Sequence, residues 1–342
     1  MYCPRLFIVL CLYNNYKNSR ESLMKAVAYQ NYNSNIEIIE AAKPELKDRS
    51  VLIEVHAASI NPIDNILHAG YLHQMLELSF PHIMGYDVSG TVVEVGKGVR
   101  SVKVGDEVFA RPNQEDAGSI AEFARVHEDE LAIKPKNMSH IDAASVPLAG
   151  LTAWQALITK GELKKGDKVL IHAGSGGVGT FAIQIAKYFG AMVTTTTSSK
   201  NSNLVKSLGA DLVIDYTTQS FEDELSDYDL VIDAIGGDTL TKSFKVLKKG
   251  GRLISIKGQD TENLAKDYGV NFEWFFMSPD GDMLTELATL ISQGIVKTVI
   301  DSTYPMKQAP KAFEILAKGR AKGKIVITIN KKLKLYTNKN FR

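Results

Sequence analysis

Residues 168–179 read Lys-Val-Leu-Ile-His-Ala-Gly-Ser-Gly-Gly-Val-Gly, and the pattern of an amphipathic helix follows them. The stretch predicts a buried strand, a glycine-rich turn and a helix in immediate succession. Gly174, Gly176 and Gly179 have the spacing G-x-G-x-x-G. In such a turn the first glycine permits the sharp change of direction, the second lets a ligand approach the backbone, and the third allows the helix to pack closely on the sheet.

The start of the predicted helix is suited to bind an anion, because its first N–H groups have no acceptor within the helix and its dipole is positive there. Strand, turn and helix together predict that a dinucleotide pyrophosphate binds here. The residues expected to contact it are Gly174, Ser175, Gly176, Gly177, Val178 and Gly179. Glycine-rich turns are also common for purely structural reasons, and that alternative stays open at this point.

The end of the second predicted strand distinguishes between the two common dinucleotides. A site for NAD usually places Asp or Glu about 20 residues further on, where the carboxylate holds the ribose 2′-hydroxyl. Here residues 194–201 read Thr-Thr-Thr-Thr-Ser-Ser-Lys-Asn, and no acidic residue follows before Asp211. Ser198 and Lys200 can instead donate to a 2′-phosphate and offset its charge, which favours NADPH. The alternative is an ordinary polar surface turn.

Strands and helices alternate in the part of the chain around this turn. Short apolar strands between amphipathic helices predict βαβ units and a parallel sheet that helices cover on both faces. The predicted strands are residues 168–172, 192–196, 212–214, 230–234 and 251–256. The predicted helices are residues 178–189, 202–208 and 240–248. The fold class is therefore α/β, with a doubly wound parallel sheet of the Rossmann type.

The part of the chain before this alternation is rich in short β-segments separated by Gly, Pro and Asn. Such spacing predicts a small barrel or sandwich. A helix (residues 283–293) and a strand (residues 324–329) follow the alternating region and are too short to form a domain alone. We therefore expect residues 24–147 and 278–342 to form a β-barrel domain, and residues 148–277 to form the dinucleotide-binding domain.

The 342 residues carry 40 basic and 39 acidic side chains, which leaves a formal charge of +1. A nearly neutral chain gives no indication of a nucleic-acid partner or of an anionic membrane surface. The sequence has two cysteines, Cys3 and Cys11, so neither a disulfide framework nor a cysteine-rich zinc site is expected. These observations predict a cytoplasmic protein.

Residues 1–23 precede the first convincing strand, which opens at Met24. Their apolar run, residues 6–13, is far shorter than the ~20 residues that a membrane-spanning helix needs. No small-x-small cleavage site follows the run. We expect an extension upstream of a natural start at Met24. A native but functionally unimportant arm and an export signal are the alternatives.

Five motifs occur in order along the chain. They are residues 58–64 (Ala-Ser-Ile-Asn-Pro-Ile-Asp), 85–92 (Gly-Tyr-Asp-Val-Ser-Gly-Thr-Val), 105–108 (Gly-Asp-Glu-Val), 149–154 (Ala-Gly-Leu-Thr-Ala-Trp) and 173–179. With them the chain resembles the medium-chain dehydrogenase/reductase superfamily, and most of all its zinc-free quinone oxidoreductase (zeta-crystallin-like) branch. The resemblance implies a GroES-like catalytic domain beside the Rossmann domain, an active site in the cleft between them, and assembly into a homodimer or a larger oligomer, of which we expect the homodimer.

Zinc-dependent members of this superfamily carry Cys where Asn61 stands and His where Tyr86 stands, and they have a four-cysteine lobe that this chain lacks. Because zinc favours cysteine and histidine ligands, the resemblance implies an enzyme without a metal. A catalytic zinc polarises a carbonyl or stabilises an alkoxide. Without it, the expected substrate is a small acceptor that is already electrophilic, such as a quinone or an α,β-unsaturated carbonyl.

The resemblance also implies catalytic roles. The amide of Asn61 is expected to hydrogen-bond the acceptor oxygen, with Asp64 as an orienting or structural group. Tyr71 is expected to face the pocket, and Thr152, at the start of a helix, to contact the nicotinamide end. The alternatives are a turn residue for Asn61 and a helix cap for Thr152.

Further residues match positions that hold the cofactor in relatives that use NADPH. Tyr216 and Lys200 are expected to grip the adenosine 2′-phosphate, and Gly236 to let the backbone come close to the cofactor. Packing at a strand end is the alternative for Tyr216.

The sequence thus predicts an NADPH-dependent oxidoreductase, and two other functions remain open. An NADPH-dependent alcohol or aldehyde dehydrogenase of the same fold shares nearly every feature. A non-catalytic NADPH-binding sensor would have the same glycine turn, although the intact segment around Asn61 argues mildly for an enzyme.

Overall fold

The computed structural model describes residues 23–116, 118–260 and 263–329. The expectation for residues 1–22, and the assignment of residues 330–342 to the β-barrel domain, lie outside these ranges. The strands are β1 (Leu23–Tyr29), β2 (Glu37–Ala42), β3 (Ser50–Ile60), β4 (His82–Ile83), β5 (Asp87–Val95), β6 (Glu107–Ala110), β7 (Phe123–His127), β8 (Leu131–Ile133), β9 (Lys168–Ile171), β10 (Met192–Thr197), β11 (Leu212–Asp215), β12 (Tyr228–Asp233), β13 (Leu247–Ser255), β14 (Asn271–Trp274), β15 (Ile300–Pro305) and β16 (Lys324–Thr328).

The helices connect these strands and cover the sheets. The α-helices are α1 (Pro62–His68), α2 (His140–Ala144), α3 (Pro147–Trp154), α4 (Gly177–Tyr188), α5 (Ser202–Ser207), α6 (Phe221–Glu224), α7 (Gly237–Ser243), α8 (Leu264–Tyr268), α9 (Gly281–Ser292) and α10 (Ala309–Ala317). A π-helical stretch, Gln155–Lys160, continues α3. Short 3₁₀ turns occur at Glu128–Glu130, Ser199–Asn201, Phe244–Val246 and Met306–Gln308.

Six parallel strands of the described chain form one sheet in the order β11-β10-β9-β12-β13-β14. Numbered along the chain, this is the order 3-2-1-4-5-6 of a doubly wound dinucleotide-binding sheet. The predicted Rossmann-type fold is therefore confirmed. The order reverses between β9 and β12, and ligands of such sheets bind beyond the carboxyl ends of the strands at that point.

A second, mixed sheet has the order β15-β16-β3-β5-β6-β8, with β7 also paired to β3. Its strands β15 and β16 come from the end of the described chain. β16 runs antiparallel to β3 and places Ile325 opposite Ile60. A small sheet, β2-β1-β4, completes the β-rich part. The end of the chain thus returns to the strand that leads into α1.

The core around α4 fixes the start of that helix against the parallel sheet. Phe181 and Ile185 lie one helical turn apart and are buried in one cluster with Ile171 of β9 and Val193 of β10. Burying each such side chain contributes about 1.5–3 kcal/mol. The glycine-rich turn therefore joins two elements that pack firmly on each other.

Two predicted boundaries are wrong. The helix expected at residues 240–248 ends at Ser243, and β13 already begins at Leu247. Leu247 pairs with Tyr228 of β12 instead, so the chain is already extended there. The short strand β14 was not predicted, because its sequence Asn-Phe-Glu-Trp lacks the alternation and the β-branched residues that indicate a strand.

Candidate active site

The turn after β9 brings the glycine-rich loop to the point where the strand order reverses. Its left-handed residue is Ala173, with φ of +55°. A Cβ atom on Gly174 would lie 2.0 Å from the Thr195 hydroxyl oxygen on β10. One on Gly179 would lie 2.4 Å from the Ala173 carbonyl oxygen. The prediction for Gly174 is thereby corrected: Ala173 makes the sharp turn, whereas Gly174 allows close packing on β10.

The second glycine of the motif has space beside it. A Cβ on Gly176 would meet the Ala173 carbonyl oxygen at 3.3 Å and no other described atom within 4 Å. Gly176 is the N-cap of α4, so the N–H groups of Gly177 and Val178 lie in the first turn and have no acceptor within the helix. Residues 175–178 are half-buried, which leaves them accessible from the cleft. This geometry fits a diphosphate.

His172 supports the loop from behind. Its buried imidazole places Nε2 2.9 Å from Ser243 Oγ and Nδ1 3.1 Å from Thr196 Oγ1. The Ser243 hydroxyl donates to the Thr239 carbonyl at 2.6 Å, so it accepts from His172 Nε2, which carries the proton of the neutral ring. Burial lowers the pKa of His172 to about 4. The ring therefore stays neutral near pH 7.

We expect acid to destabilise the fold partly through His172. Its pKa of about 4 in the folded protein lies below the ordinary 6.5, so the unfolded chain binds more protons between these values. The contribution is complete above about pH 6.5 and falls with the pH toward 4, by up to about 1.4 kcal/mol per pH unit. In urea unfolding, His172→Gln should show a shallower pH dependence than the wild type. The exposed His73→Gln is the control with an unchanged slope. Equal slopes for His172→Gln and the wild type would contradict the assignment.

A buried group of polar side chains lies beside the glycine loop. One carboxylate oxygen of Asp87 accepts from the Ser59 hydroxyl at 2.6 Å, the Asn61 amide at 2.8 Å and the Lys324 ammonium at 3.2 Å. Its other oxygen accepts from the Leu148 N–H, at the start of α3, at 2.7 Å. Lys324 also donates to the amide oxygen of Asn61. We call Asn61, Asp87 and Lys324 the polar centre; all three are at most 4% exposed.

Asp64 fixes Asn61 from the other side. Its carboxylate accepts the N–H of Asn61 at 2.7 Å and the N–H of Gly85 at 3.0 Å. Burial raises the pKa of Asp64 to about 7. The two backbone hydrogen bonds hold the start of α1 against the residues that precede β5, which fits the orienting role expected for Asp64.

The returning end of the chain joins the polar centre to the glycine loop. The Gly323 N–H donates to the Ser175 carbonyl at 2.8 Å, and Gly323 also forms a β-bridge with Gly176. A Cβ on Gly177 would lie 3.1 Å from Cδ of Lys324. The lysine stem therefore passes directly over the start of α4. The polar centre and the loop lie within one side-chain length of each other.

The structure brings together only part of the predicted catalytic set. Asn61 lies in the polar centre, where its oxygen and one amide hydrogen are hydrogen-bonded and the second hydrogen has no acceptor among the described residues. Tyr71 is 80% exposed, in the turn after α1. Thr152 was expected at a helix start, and this is wrong: α3 begins at Pro147, and Thr152 donates to the Leu148 carbonyl at 2.7 Å.

The residues predicted to hold a 2′-phosphate lie around the ends of β10 and β11. The Tyr216 N–H donates to the Thr197 carbonyl at 3.3 Å, which brings the two strand ends together. Tyr216 is 63% exposed, Lys200 is exposed and Ser198 is half-buried. Thr197 also donates its hydroxyl to Ser175 Oγ at 3.0 Å. These side chains therefore border the glycine loop where β10 and β11 end.

Gly236 lies in the second loop of the reversal point, after β12. Its φ is +80°, and it is the N-cap of α7. The buried Asp233 carboxylate accepts the N–H of Gly236 at 2.9 Å and of Ile235 at 3.0 Å, and the Ser255 hydroxyl donates to it at 2.7 Å. This loop is therefore held in place opposite the glycine loop.

Sequence reasoning missed Asp87 and assigned no firm role to Lys324. Asp87 is part of the motif at residues 85–92, where it is the one charged residue. That was the available signal. Lys324 opens the apolar run Lys-Ile-Val-Ile-Thr, and no local pattern distinguishes it from an exposed lysine at a strand start.

The polar centre does not suit a zinc ion. The Lys324 ammonium lies among the oxygen atoms that would have to face a metal, and it donates to both Asn61 and Asp87. The Tyr86 hydroxyl donates to Gln114 at 2.8 Å. Within residues 23–116, 118–260 and 263–329 there is no group of three His, Cys, Asp or Glu side chains placed to hold a metal. The oxygen atoms of Asn61 and Asp87 instead accept hydrogen bonds from an ammonium.

Comparison with known proteins agrees with this architecture. Residues 47–136 match the model described as alcohol dehydrogenase GroES-like domain, and residues 208–327 match the one described as zinc-binding dehydrogenase. The chain is 35% identical to NAD(P)H oxidoreductase RTN4IP1, mitochondrial, of Danio rerio, over 93% of this chain and 95% of that protein. It is 37% identical to the NADPH-dependent alkenal/one oxidoreductase, chloroplastic, of Arabidopsis thaliana, over 89% and 79%.

These relatives correct one prediction. The cytoplasmic location expected from the cysteine content is wrong, since RTN4IP1 proteins from fish, mouse, cattle and human are named mitochondrial and other relatives chloroplastic. The physical reason is that scarce cysteine argues against disulfides and does not separate one disulfide-free compartment from another. No helix in the described part of the chain has the length and apolarity needed to cross a bilayer.

Solved structures show the same fold. The quinone oxidoreductase from Coxiella burnetii superposes with a TM-score of 0.84 at 34% identity, over 90% of this chain and all of that one. Family models match both the β-rich and the alternating part, and relatives match along most of the length. The chain therefore belongs to the medium-chain dehydrogenase/reductase superfamily of oxidoreductases, enzymes that work with a nicotinamide cofactor.

Proposed function

We propose that this protein is an NADPH-dependent, zinc-independent reductase of quinones or α,β-unsaturated carbonyl compounds. The observation that carries the proposal is that Gly323, which directly precedes Lys324 of the polar centre, is hydrogen-bonded to Ser175 of the glycine loop. A dinucleotide at the loop would place its reactive end near Asn61. The names of the relatives, among them an alkenal/one oxidoreductase and a 2-methylene-furan-3-one reductase, support the same class of acceptor.

The chain's own residues bind and orient in this reaction. When bound, the reduced dinucleotide supplies a hydride. The free amide hydrogen of Asn61 donates to the acceptor oxygen, and the nearby charge of Lys324 favours the negative charge that develops there. Each turnover moves one hydride and one solvent proton, so a quinone becomes a hydroquinone, or the double bond of an enone becomes saturated.

The proposal is tested by following NADPH oxidation by purified protein with a quinone, an enone and a simple aldehyde. Turnover of the quinone or enone, unaffected by a chelator, is the expected result. Oxidation of ethanol that a chelator abolishes would overturn it in favour of a zinc-dependent alcohol dehydrogenase. Binding of NADPH with no turnover of any acceptor would indicate a sensor.

Preference for NADPH follows from the groups around the adenosine side of the loop. Ser198, Lys200 and Tyr216 can donate to a 2′-phosphate, and β10 ends without a carboxylate. Lys200→Glu should weaken NADPH binding about 10–100-fold, because it replaces an attractive charge with a repulsive one, and should change NADH binding much less. Fluorescence titration with both nucleotides measures this.

Lys206→Glu is the matched control for that substitution. Lys206 is also exposed and lies six residues further on, in the last turn of α5. Lys206→Glu makes the same change in net charge as Lys200→Glu. If the effect of Lys200→Glu is local, Lys206→Glu should leave the affinities for NADPH and NADH within about twofold of the wild type. Equal losses for NADPH and NADH in Lys200→Glu would remove the 2′-phosphate assignment.

We further propose that residues 24–147 and 278–342 act as the GroES-like catalytic domain and residues 148–277 as the NADPH domain. The pairing of β16 with β3 supports this division. We also propose a homodimer. β14 is an edge strand of the parallel sheet, and the half-buried Trp274 at its end lies close to the exposed Phe276, with ring centroids 5.0 Å apart. Light scattering of the purified protein measures the oligomeric state.

A further inference from the structure

Arg111 is a partly buried cation whose donors are mostly unused. It follows β6 and donates from one Nη to the Pro112 carbonyl at 2.8 Å. Its Nε is buried and has no hydrogen-bond partner among the described residues. A guanidinium has five N–H donors, and a buried donor without a partner costs free energy. Such a group in a folded protein calls for an explanation, and a ligand is one.

The guanidinium packs on the residue that leads into the polar centre. Its central carbon is 4.9 Å from the ring centroid of Tyr86, the residue that precedes Asp87. The Tyr86 hydroxyl donates its hydrogen to Gln114. It therefore does not compete with Arg111 to donate to the same ligand atom. Burial lowers the pKa of Arg111, and the neighbouring charges of Asp87 and Glu130 oppose that change. The cation is therefore retained in this half-buried position.

The loop that carries Arg111 is fixed by its own hydrogen bonds. Asn113 accepts the N–H groups of Glu115 and Asp116 at 2.8 Å and 3.0 Å, and its amide donates to Glu130 at 2.8 Å. Asp116 is paired with Arg125. The nearby carboxylates thus have other partners and leave the Arg111 donors free. A loop held in this way reduces the ordering that binding through Arg111 would require.

We propose that Arg111 is a specificity-determining residue that binds a second oxygen of the acceptor, remote from the atom that receives the hydride. The inference rests on the proposed function and deepens it. A quinone has a second carbonyl oxygen that can satisfy the free N–H donors, whereas an alkenal has none. A site built to hydrogen-bond a substrate oxygen discriminates against a substrate without it, because its buried donors are then left unpaired. The favoured substrate class is therefore acceptors with two oxygens.

The test compares a benzoquinone with a straight-chain alkenal in steady-state kinetics. Arg111→Met should lower kcat/KM for the quinone about 10–100-fold, mainly through KM, and for the alkenal less than about threefold. Arg111→Lys keeps the charge and loses the forked pair of N–H donors. Its kcat/KM for the quinone should therefore lie between those of the wild type and Arg111→Met. KM for NADPH should not change. Arg100→Met, at an exposed arginine, is the control expected to behave as wild type.

Binding of the hydroquinone to protein saturated with NADP⁺, measured by calorimetry, separates this inference from the proposed function. If the wild type binds the hydroquinone but reduces no quinone, the proposed function fails, and a roughly tenfold weaker binding by Arg111→Met still supports the subsite. Equal losses for quinone and alkenal, or wild-type behaviour of both Arg111 variants, would overturn it. If Arg111→Met does not fold, Arg111→Lys decides, since it keeps the charge.

Discussion

Lys324→Met is expected to lower the free energy of unfolding by about 3–5 kcal/mol, the usual cost of removing one partner of a buried ion pair. Asp87 would be left fully buried without its counter-ion, with the hydroxyl of Ser59, the amide of Asn61 and the N–H of Leu148 as its remaining donors. These neutral donors place the effect toward the lower end of the range. Asn61 would also lose the ammonium that fixes its amide, so kcat/KM should fall at least about tenfold.

Urea unfolding and a double-mutant cycle measure this prediction. Asp87→Asn combined with Lys324→Met removes both charges and should be clearly more stable than Lys324→Met alone. Lys322→Met is the control, because Lys322 is exposed two residues away and should change stability by less than about 0.5 kcal/mol. Equal stability of Lys324→Met and the wild type would mean that the pair contributes nothing.

Gly179→Ala is the second substitution with a large expected effect. The new Cβ would lie 2.4 Å from the Ala173 carbonyl oxygen and 2.7 Å from Gly174 Cα, and both are backbone atoms that cannot rotate away. Alanine favours a helix by about 1 kcal/mol over glycine, but overpacking costs about 1–3 kcal/mol or more. The clash should win, and the displaced loop should bind NADPH at least about tenfold more weakly.

Gly176→Ala separates packing from binding. Its Cβ meets the Ala173 carbonyl oxygen at 3.3 Å, so the fold should tolerate it with little loss of thermal stability. The methyl group would stand where a diphosphate approaches, so NADPH affinity should fall without a matching loss of stability. If Gly179→Ala were as stable as the wild type and bound NADPH normally, the close contact between α4 and the turn would not matter.

The local part of the fold could be predicted from the sequence. The motif at residues 168–179 indicated the turn and the helix after it, because apolar periodicity and glycine spacing are properties of neighbouring residues. The role of each residue within the motif was harder to predict. Nothing in the sequence indicates that Ala173 rather than Gly174 takes the left-handed conformation, since that depends on how closely the loop packs on β10.

The polar centre could not be predicted, because its partners are far apart in the chain. Lys324 and Asp87 are separated by 237 residues, and Lys324 looks like an ordinary charged residue at a strand start. The pairing of both β16 and β5 with β3 brings them together. Tyr71 differs from these residues, because a local sequence match did predict a role for it. That match predicts that Tyr71 faces the pocket, but in the structure its side chain is 80% exposed.

The contact between Lys324 and Asn61 spans 263 residues, so it has a consequence for how the protein is made. A ribosome releases the chain from its N-terminus at about 5–20 residues per second. Asn61 and Asp87 leave it long before Lys324 does. Until β16 emerges, the polypeptide holds a carboxylate without its counter-ion, and β3 lacks β16. The polar centre is therefore completed only once β16 has been synthesised, and a product truncated before Lys324 should be inactive and prone to aggregate.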